Sequence, residues 1–198
     1  MTTPPTADAR TTALLVMDLQ PSVLAALPDT EADALVERVA DAVATVRAAG
    51  GTVGYVRVGL TDADRAAVPA ANTSFSRLAA DPGRLRADAP DTAVDARLAP
   101  LPGDIQVRKT RYGAFSTTDL DARLRERGIT TLVLAGVSTS GVVLSTALDA
   151  ADRDYGVYVL SDAVADARTA VHRTLVADVL PTRAHVLGTA ALRDVLTP

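Results

Sequence analysis

The chain contains no cysteine, which excludes disulfides, thiolate metal sites and any thiol nucleophile. The absence does not identify a redox compartment. Tryptophan is missing as well, and aromatics make up only 3% of the 198 residues, so the core must be aliphatic, as the 48% hydrophobic content allows. Two histidines, His172 and His185, limit imidazole chemistry. The 20 basic side chains are scattered and outnumbered by 24 acidic ones, giving a net charge of −4 with no basic stripe, so no nucleic-acid partner is expected. No apolar run approaches the ~18 residues of a membrane span, and the opening residues lack the charged-then-apolar order of a leader. No membrane partner and a cytoplasmic location are therefore expected. The abundance of Ala, Arg, Asp and Val reads as coding bias.

The length suits one sizeable core. Apolar, β-branched runs at 12–18, 52–58, 105–108, 131–135 and 157–160, with a weaker one at 184–187, alternate with stretches of helical length. That pattern predicts an α/β fold: a three-layer Rossmann-like sandwich around a mostly parallel six-stranded sheet. Residues 31–49 repeat apolar side chains at Leu35, Val36, Val39, Val43 and Val46 and stop at Gly50-Gly51, as a helix should. Further helices are expected at 118–127, 140–153 and 167–179. Residues 59–103 carry five prolines and no long periodicity, and read as an excursion over the sheet edge of the kind that often walls a pocket. Residues 1–10 are expected to be a flexible segment and 11–198 one domain.

In an open parallel sheet, ligands bind beyond the carboxyl ends of the strands. Three such ends are distinctive. Asp18 closes Ala13-Leu14-Leu15-Val16-Met17 and precedes Leu19-Gln20. Lys109 closes Ile105-Gln106-Val107-Arg108 and opens Thr110-Arg111-Tyr112-Gly113-Ala114-Phe115. Gly136-Val137-Ser138-Thr139-Ser140-Gly141-Val142 follows Leu132-Val133-Leu134 and opens a helix whose amides could face an anion.

The ordered set Met17-Asp18-Leu19-Gln20, Lys109-x-Arg-Tyr-x-Ala-Phe115 and Gly136-Val-x-Thr-Ser-Gly-x-Val143, reinforced by the Asp149–Tyr155 segment and Ser161-Asp162-Ala163, resembles the isochorismatase-like hydrolases. These include nicotinamidases, N-carbamoylsarcosine amidases and isochorismatases proper, and the resemblance runs over roughly 11–187. It implies that Asp18 and Lys109 are the catalytic acid/base and its partner, that Val142 holds the place of the family's cysteine, and that a cis peptide lies at or near Val137-Ser138. With valine there, covalent amide hydrolysis through that position is excluded. Isochorismatases proper carry glycine at this place and cleave a vinyl ether with the aspartate as acid. They also carry an aromatic and a histidine where Ser138-Thr139-Ser140 stands, and a tryptophan where Thr110 stands. The nicotinamidase-like members hold a metal with a histidine just after the second strand, and Val56-Arg57-Val58-Gly59-Leu60 has none, so neither metal nor cofactor is expected.

Gln20, Arg111, Tyr112, Phe115, Ser138 and Thr139 are the candidate substrate contacts. Each has a plainer reading: Gln20 as a loop cap, Ser138 to Ser140 as helix N-caps, Tyr112 and Phe115 as helix packing. Arg57 reads equally as an anion contact or a surface charge, and both histidines as surface or packing residues. Asp18 and Lys109 are expected at adjacent strand ends within hydrogen-bonding reach. Two functions follow from this reading. One is a cysteine-independent hydrolase acting on a small metabolite, with ether or enol-ether cleavage by an Asp acid/base. The other is a non-catalytic small-molecule-binding or assembly protein on the same scaffold. A homo-oligomer is expected, as is common in the family.

Overall fold

The computed structural model describes residues 4–197. Its strands are β1 (Ala7–Asp8), β2 (Thr12–Met17), β3 (Thr52–Val58), β4 (Ile105–Lys109), β5 (Thr131–Val137), β6 (Gly156–Ala165), β7 (His185–Leu187) and β8 (Leu196–Thr197). Along β2, Leu14 and Val16 face one layer while Ala13, Leu15 and Met17 face the other, and all are buried. A strand covered on both faces is what a near-continuous apolar run encodes. Leu14 and Val16 join Leu35, Val36, Val39 and Val46 of the helix Asp29–Ala48. Leu15 and Met17 join Leu120 and Leu124 of the helix Leu120–Glu126 and Ala147 and Ala150 of the helix Leu144–Asp152. This is the expected three-layer α/β sandwich.

The six strands run in the order β4-β3-β2-β5-β6-β7 and every neighbouring pair is parallel. The chain winds outward from β2 to β3 and β4, then resumes on the other side of β2 with β5. The order therefore reverses between β2 and β5, the switch point beyond whose carboxyl ends open parallel sheets bind their ligands. Asp18 and the turn after β5 lie there.

Several elements depart from the sequence expectation. β6 runs on to Ala165, past the expected 157–160, because a register shift between Leu134 and Gly136 re-pairs its second half with the end of β5. The helix expected at 140–153 opens as a π-helical turn, Thr139–Val143, before the α-helix Leu144–Asp152, and the one expected at 167–179 is an α-helix at Thr169–Thr174 continued by a π-helical stretch at Leu175–Val179. The excursion 59–103 holds two short helices, Asp62–Ala66 and Thr73–Ala80. A reciprocal Thr61–Asp64 capping box starts the first and Asn72 caps the second. Of the segment expected to be flexible, residues 1–3 lie outside the described residues. Ala7–Asp8 instead pairs with Leu196–Thr197 as a two-stranded parallel ribbon, and Tyr158 Oη donates to the Pro5 carbonyl.

Candidate active site

Asp18 follows β2 in the left-handed region, at φ 54°, a conformation aspartate tolerates better than branched residues. Its amide donates to the Val56 carbonyl on β3. Lys109 ends β4 in register with Val58, and its Nζ lies 2.7 Å from Asp18 Oδ2. The two residues do meet, but not from adjacent strands, since β3 lies between them. The separation is two strand spacings, about 10 Å, and the four-carbon stem of the lysine spans it. Both side chains are buried, with Asp18 6% and Lys109 2% exposed.

The ammonium also donates to the Arg111 carbonyl, at 3.1 Å, which leaves one of its three N–H groups uncommitted among the described residues. Asp18 Oδ1 is buried and has no hydrogen-bond partner among the described residues. An acceptor and a donor, both unsatisfied, thus sit side by side. Burial pushes the Asp18 carboxyl up to about 6, and the attraction of Lys109 pulls the other way without cancelling it.

The turn after β5 is shaped by backbone crowding. Gly136 has φ 138°, and a Cβ there would lie 2.0 Å from the Met17 carbonyl oxygen, so only glycine lets β5 close on β2 at this level. The Val137-Ser138 peptide is cis, at the place the resemblance gave. The Ser138 carbonyl accepts from the amides of Gly141 and Val143. Val142 is 2% exposed and belongs to the same buried cluster as Met17, Ala114 and Phe115.

The expected N-capping by Ser138, Thr139 and Ser140 does not occur: the π-helical turn has no side-chain cap. Ser140 instead donates from its amide, at 2.8 Å, and its hydroxyl, at 2.5 Å, to Asp166 Oδ2, beyond the end of β6. Thr139 Oγ1 lies 2.9 Å from His172 Nδ1. A buried hydroxyl held by an imidazole is thus found where no base was recognisable in the sequence, because 33 residues separate the partners. Asp166 is itself a poor base. Burial would raise its carboxyl, but the two bonds from Ser140, together with the amide and the charge of Arg168, hold it below the usual range. Ser140 therefore anchors the turn to the end of β6.

The other candidate contacts divide. Gln20, fully buried, gives its Nε2 to the carbonyls of Val58, at 2.8 Å, and Thr92, at 2.7 Å, and takes the Val58 amide on Oε1 at 2.7 Å. With those bonds made it acts as a backbone clamp. Phe115 packs inside the core. It stacks on Tyr155 with centroids 6.0 Å apart and Arg153 over its ring, in the core beneath the helix Leu144–Asp152. Arg111 and Tyr112 meet at Phe75, beside the turn after β5. Tyr112, 50% exposed, sits beside Gly141 and packs edge-on against Phe75 at 4.8 Å, while the Arg111 guanidinium lies 5.1 Å from the same ring. Sequence reading missed Phe75, one of only two phenylalanines, because it comes from the excursion. His185, on β7, packs against Tyr158.

A parallel sheet with a buried acid and lysine at its switch point, facing a cis-peptide turn, defines a hydrolase-type α/β scaffold. The isochorismatase domain model matches residues 12–191. The chain belongs to the isochorismatase family. It is 34% identical over 200 residues to the uncharacterized isochorismatase family protein YecD of Escherichia coli O157:H7, covering 96% of this chain and 98% of the relative. It is 36% identical over 174 residues to a ureidoacrylate amidohydrolase, RutB, of Methylorubrum extorquens, covering 79% of this chain and 70% of that relative. Among solved structures, an isochorismatase family protein from Burkholderia thailandensis superposes with a TM-score of 0.82 at 30% identity, covering 96% of this chain and 97% of that one. Among the described residues no helix is long and apolar enough to cross a membrane.

Proposed function

We propose that this family member is a hydrolase of small metabolites that works by proton transfer at Asp18, without a covalent enzyme intermediate, and that its substrate is an anionic ether or enol ether. The observation that carries the reading is the Asp18 carboxyl: buried, raised to about 6, and with Oδ1 unpartnered. A lysine at 2.7 Å would ordinarily keep an aspartate ionised, which is wrong for an acid, but desolvation prevails here. In the proposed step, protonated Asp18 gives its proton to the terminal carbon of the enol ether. The oxocarbenium ion so formed is captured by water, which returns a proton to Asp18, and the hemiketal collapses to a carbonyl compound and an alcohol. The free N–H of Lys109 and the guanidinium of Arg111 suit a substrate carboxylate. Val142 supplies an inert wall where relatives that work through a thiol would need cysteine. The same reading has the protein acting on soluble small molecules as a cytoplasmic homo-oligomer.

The test is turnover against pH on a panel of small enol ethers and amides, ureidoacrylate included because a relative is named for it. Under the proposal, kcat on an enol ether falls as pH rises through about 6, and Asp18→Asn abolishes it. A rate that instead rises through that pH, with amides as substrates, makes Asp18 a base that activates water and overturns the acid reading. A wild type inert on the whole panel leaves a non-catalytic binding protein.

A further inference from the structure

Side chains alternate along a strand, so Arg57 and Arg108, each one residue before the pair Val58–Lys109, point to the face of the sheet opposite to Lys109. They are direct partners across β3 and β4, and two rungs below them Tyr55 and Gln106 occupy the same face. These four side chains and Val94 of the excursion line a cavity of about 240 Å³. Two guanidiniums side by side repel, and a protein normally offsets that with carboxylates. Asp64 does so for Arg108, at 2.7 Å, and the Gly59 carbonyl accepts from the same Nη1. Among the described residues Arg57 has no such partner: its hydrogen bond runs from Nη1 to the Ala87 carbonyl, at 3.1 Å.

Two carboxylates of the adjoining segments are already engaged. Asp104 is bound by Arg47 at 2.6 Å, and Asp95 by Arg97 at 2.8 Å. The cavity thus carries one uncompensated positive charge in the planar fork geometry that matches an oxyanion.

We propose that this cavity is a second ligand site, built for a small oxyanion, phosphate or carboxylate, gripped by Arg57 with Arg108 beside it and separate from the Asp18–Lys109 site across the sheet. Arg57 is half-buried. Its guanidinium is less readily protonated than usual, first through burial and then through the charge of Arg108, and a bound anion would relieve both. Gly59 links the two sites: its carbonyl takes Arg108 while its amide donates to the Lys109 carbonyl at 3.2 Å.

The experiment is a thermal-unfolding titration of the full chain with inorganic phosphate and, separately, malonate, against sodium chloride at equal ionic strength. The expected result is a saturable rise in Tm with at least one of the two oxyanions and none with chloride. Arg57→Gln should raise the midpoint concentration about tenfold or more, the loss of a charge-assisted hydrogen bond. Arg57→Lys, which keeps the charge but not the fork, should raise it less. Asp18→Asn should leave it unchanged within about twofold, since that residue lies across the sheet. Should Arg57→Gln not fold, Arg57→Lys and Arg108→Gln carry the comparison. A wild-type response no larger than that of chloride, a midpoint that ignores the arginine substitutions, or one lost in Asp18→Asn would each overturn the proposal, the last by placing the anion in the active site.

Discussion

Lys109 Nζ reaches Asp18 Oδ2 at 2.7 Å by passing over the end of β3, whose last residue, Val58, is itself held at both its amide and its carbonyl by Gln20. The ion pair and the clamp beneath it form one buried unit. Lys109 is also the single lysine of the chain, every other basic side chain being arginine. In a composition so biased, a lysine retained at a buried position marks a site where a compact ammonium on a long stem is needed and a planar fork would not serve.

That single lysine makes the pair directly readable. Protein labelled isotopically only at lysine should give one side-chain resonance, and that resonance should shift as Asp18 ionises near pH 6. Asp18→Asn should remove the step. A signal that stays flat from about pH 4 to about pH 8 in the wild type would show that the carboxyl does not titrate where its burial puts it.

Stability should carry the same signature with a definite sign. Asp18 has its folded pKa raised from 3.8 to about 6, so the folded state holds this proton more tightly than the unfolded state does. Its contribution is full below the unfolded value and is lost as pH rises through about 6. The loss is on the order of 3 kcal/mol. Urea unfolding at a series of pH values should show that decline in the wild type, and Asp18→Asn should lack it, whatever its absolute stability with Lys109 left unpaired.

Gln20→Ala should be severe. It strands the Val58 amide and the carbonyls of Val58 and Thr92 in a dry interior. A buried polar group without a partner costs roughly 1–3 kcal/mol. We expect a total loss of about 4 kcal/mol by urea denaturation. A loss within ~0.5 kcal/mol would mean that water replaces the clamp.

Val142→Ala removes two methyl groups from a packed wall and should cost about 2 kcal/mol. Val142→Cys is close to isosteric and should cost less than ~1.5 kcal/mol. That cysteine should not confer strong hydrolysis of nicotinamide, because β3 ends in Val56-Arg57-Val58 with none of the metal-binding histidine that the resemblance gives to nicotinamidases. Rapid nicotinamide turnover by the cysteine variant would show that the pocket lacks nothing but its thiol.

The layers of the fold were legible because β2 and β5 are apolar on both faces and the helix Asp29–Ala48 repeats its apolar positions at helical spacing. Asp18, Lys109 and the Gly136 turn were legible because strand ends and ordered motifs are local in sequence. The intervening strand between Asp18 and Lys109 was not, since strand order is decided by the whole sheet. The role of Gln20 was hidden because its partners lie 38 and 72 residues away. Phe75 and His172 stayed invisible for the same reason. A capping motif could have located the helix that carries Phe75, since Asn72 is its N-cap, but nothing local says that its ring meets Tyr112.

The tether made by Gln20 has a mechanical corollary. Through Gln20 to the Thr92 carbonyl, and through the Asp95 amide to the Leu19 carbonyl, the later part of the excursion is fastened to the loop that carries Asp18. The earlier part, Asp62–Ala66 and Thr73–Ala80, is braced internally, Arg65 donating to the carbonyls of Leu78, Asp81 and Arg84, and is tied to β4 by the Asp64–Arg108 ion pair at 2.7 Å. It meets the site through the contacts of Phe75 with Tyr112 and Arg111. The wall is thus pinned at both ends: its later part moves only with the loop that carries the acid, and its earlier part would have to give up the Asp64–Arg108 ion pair as well as the aromatic contact before it could lift.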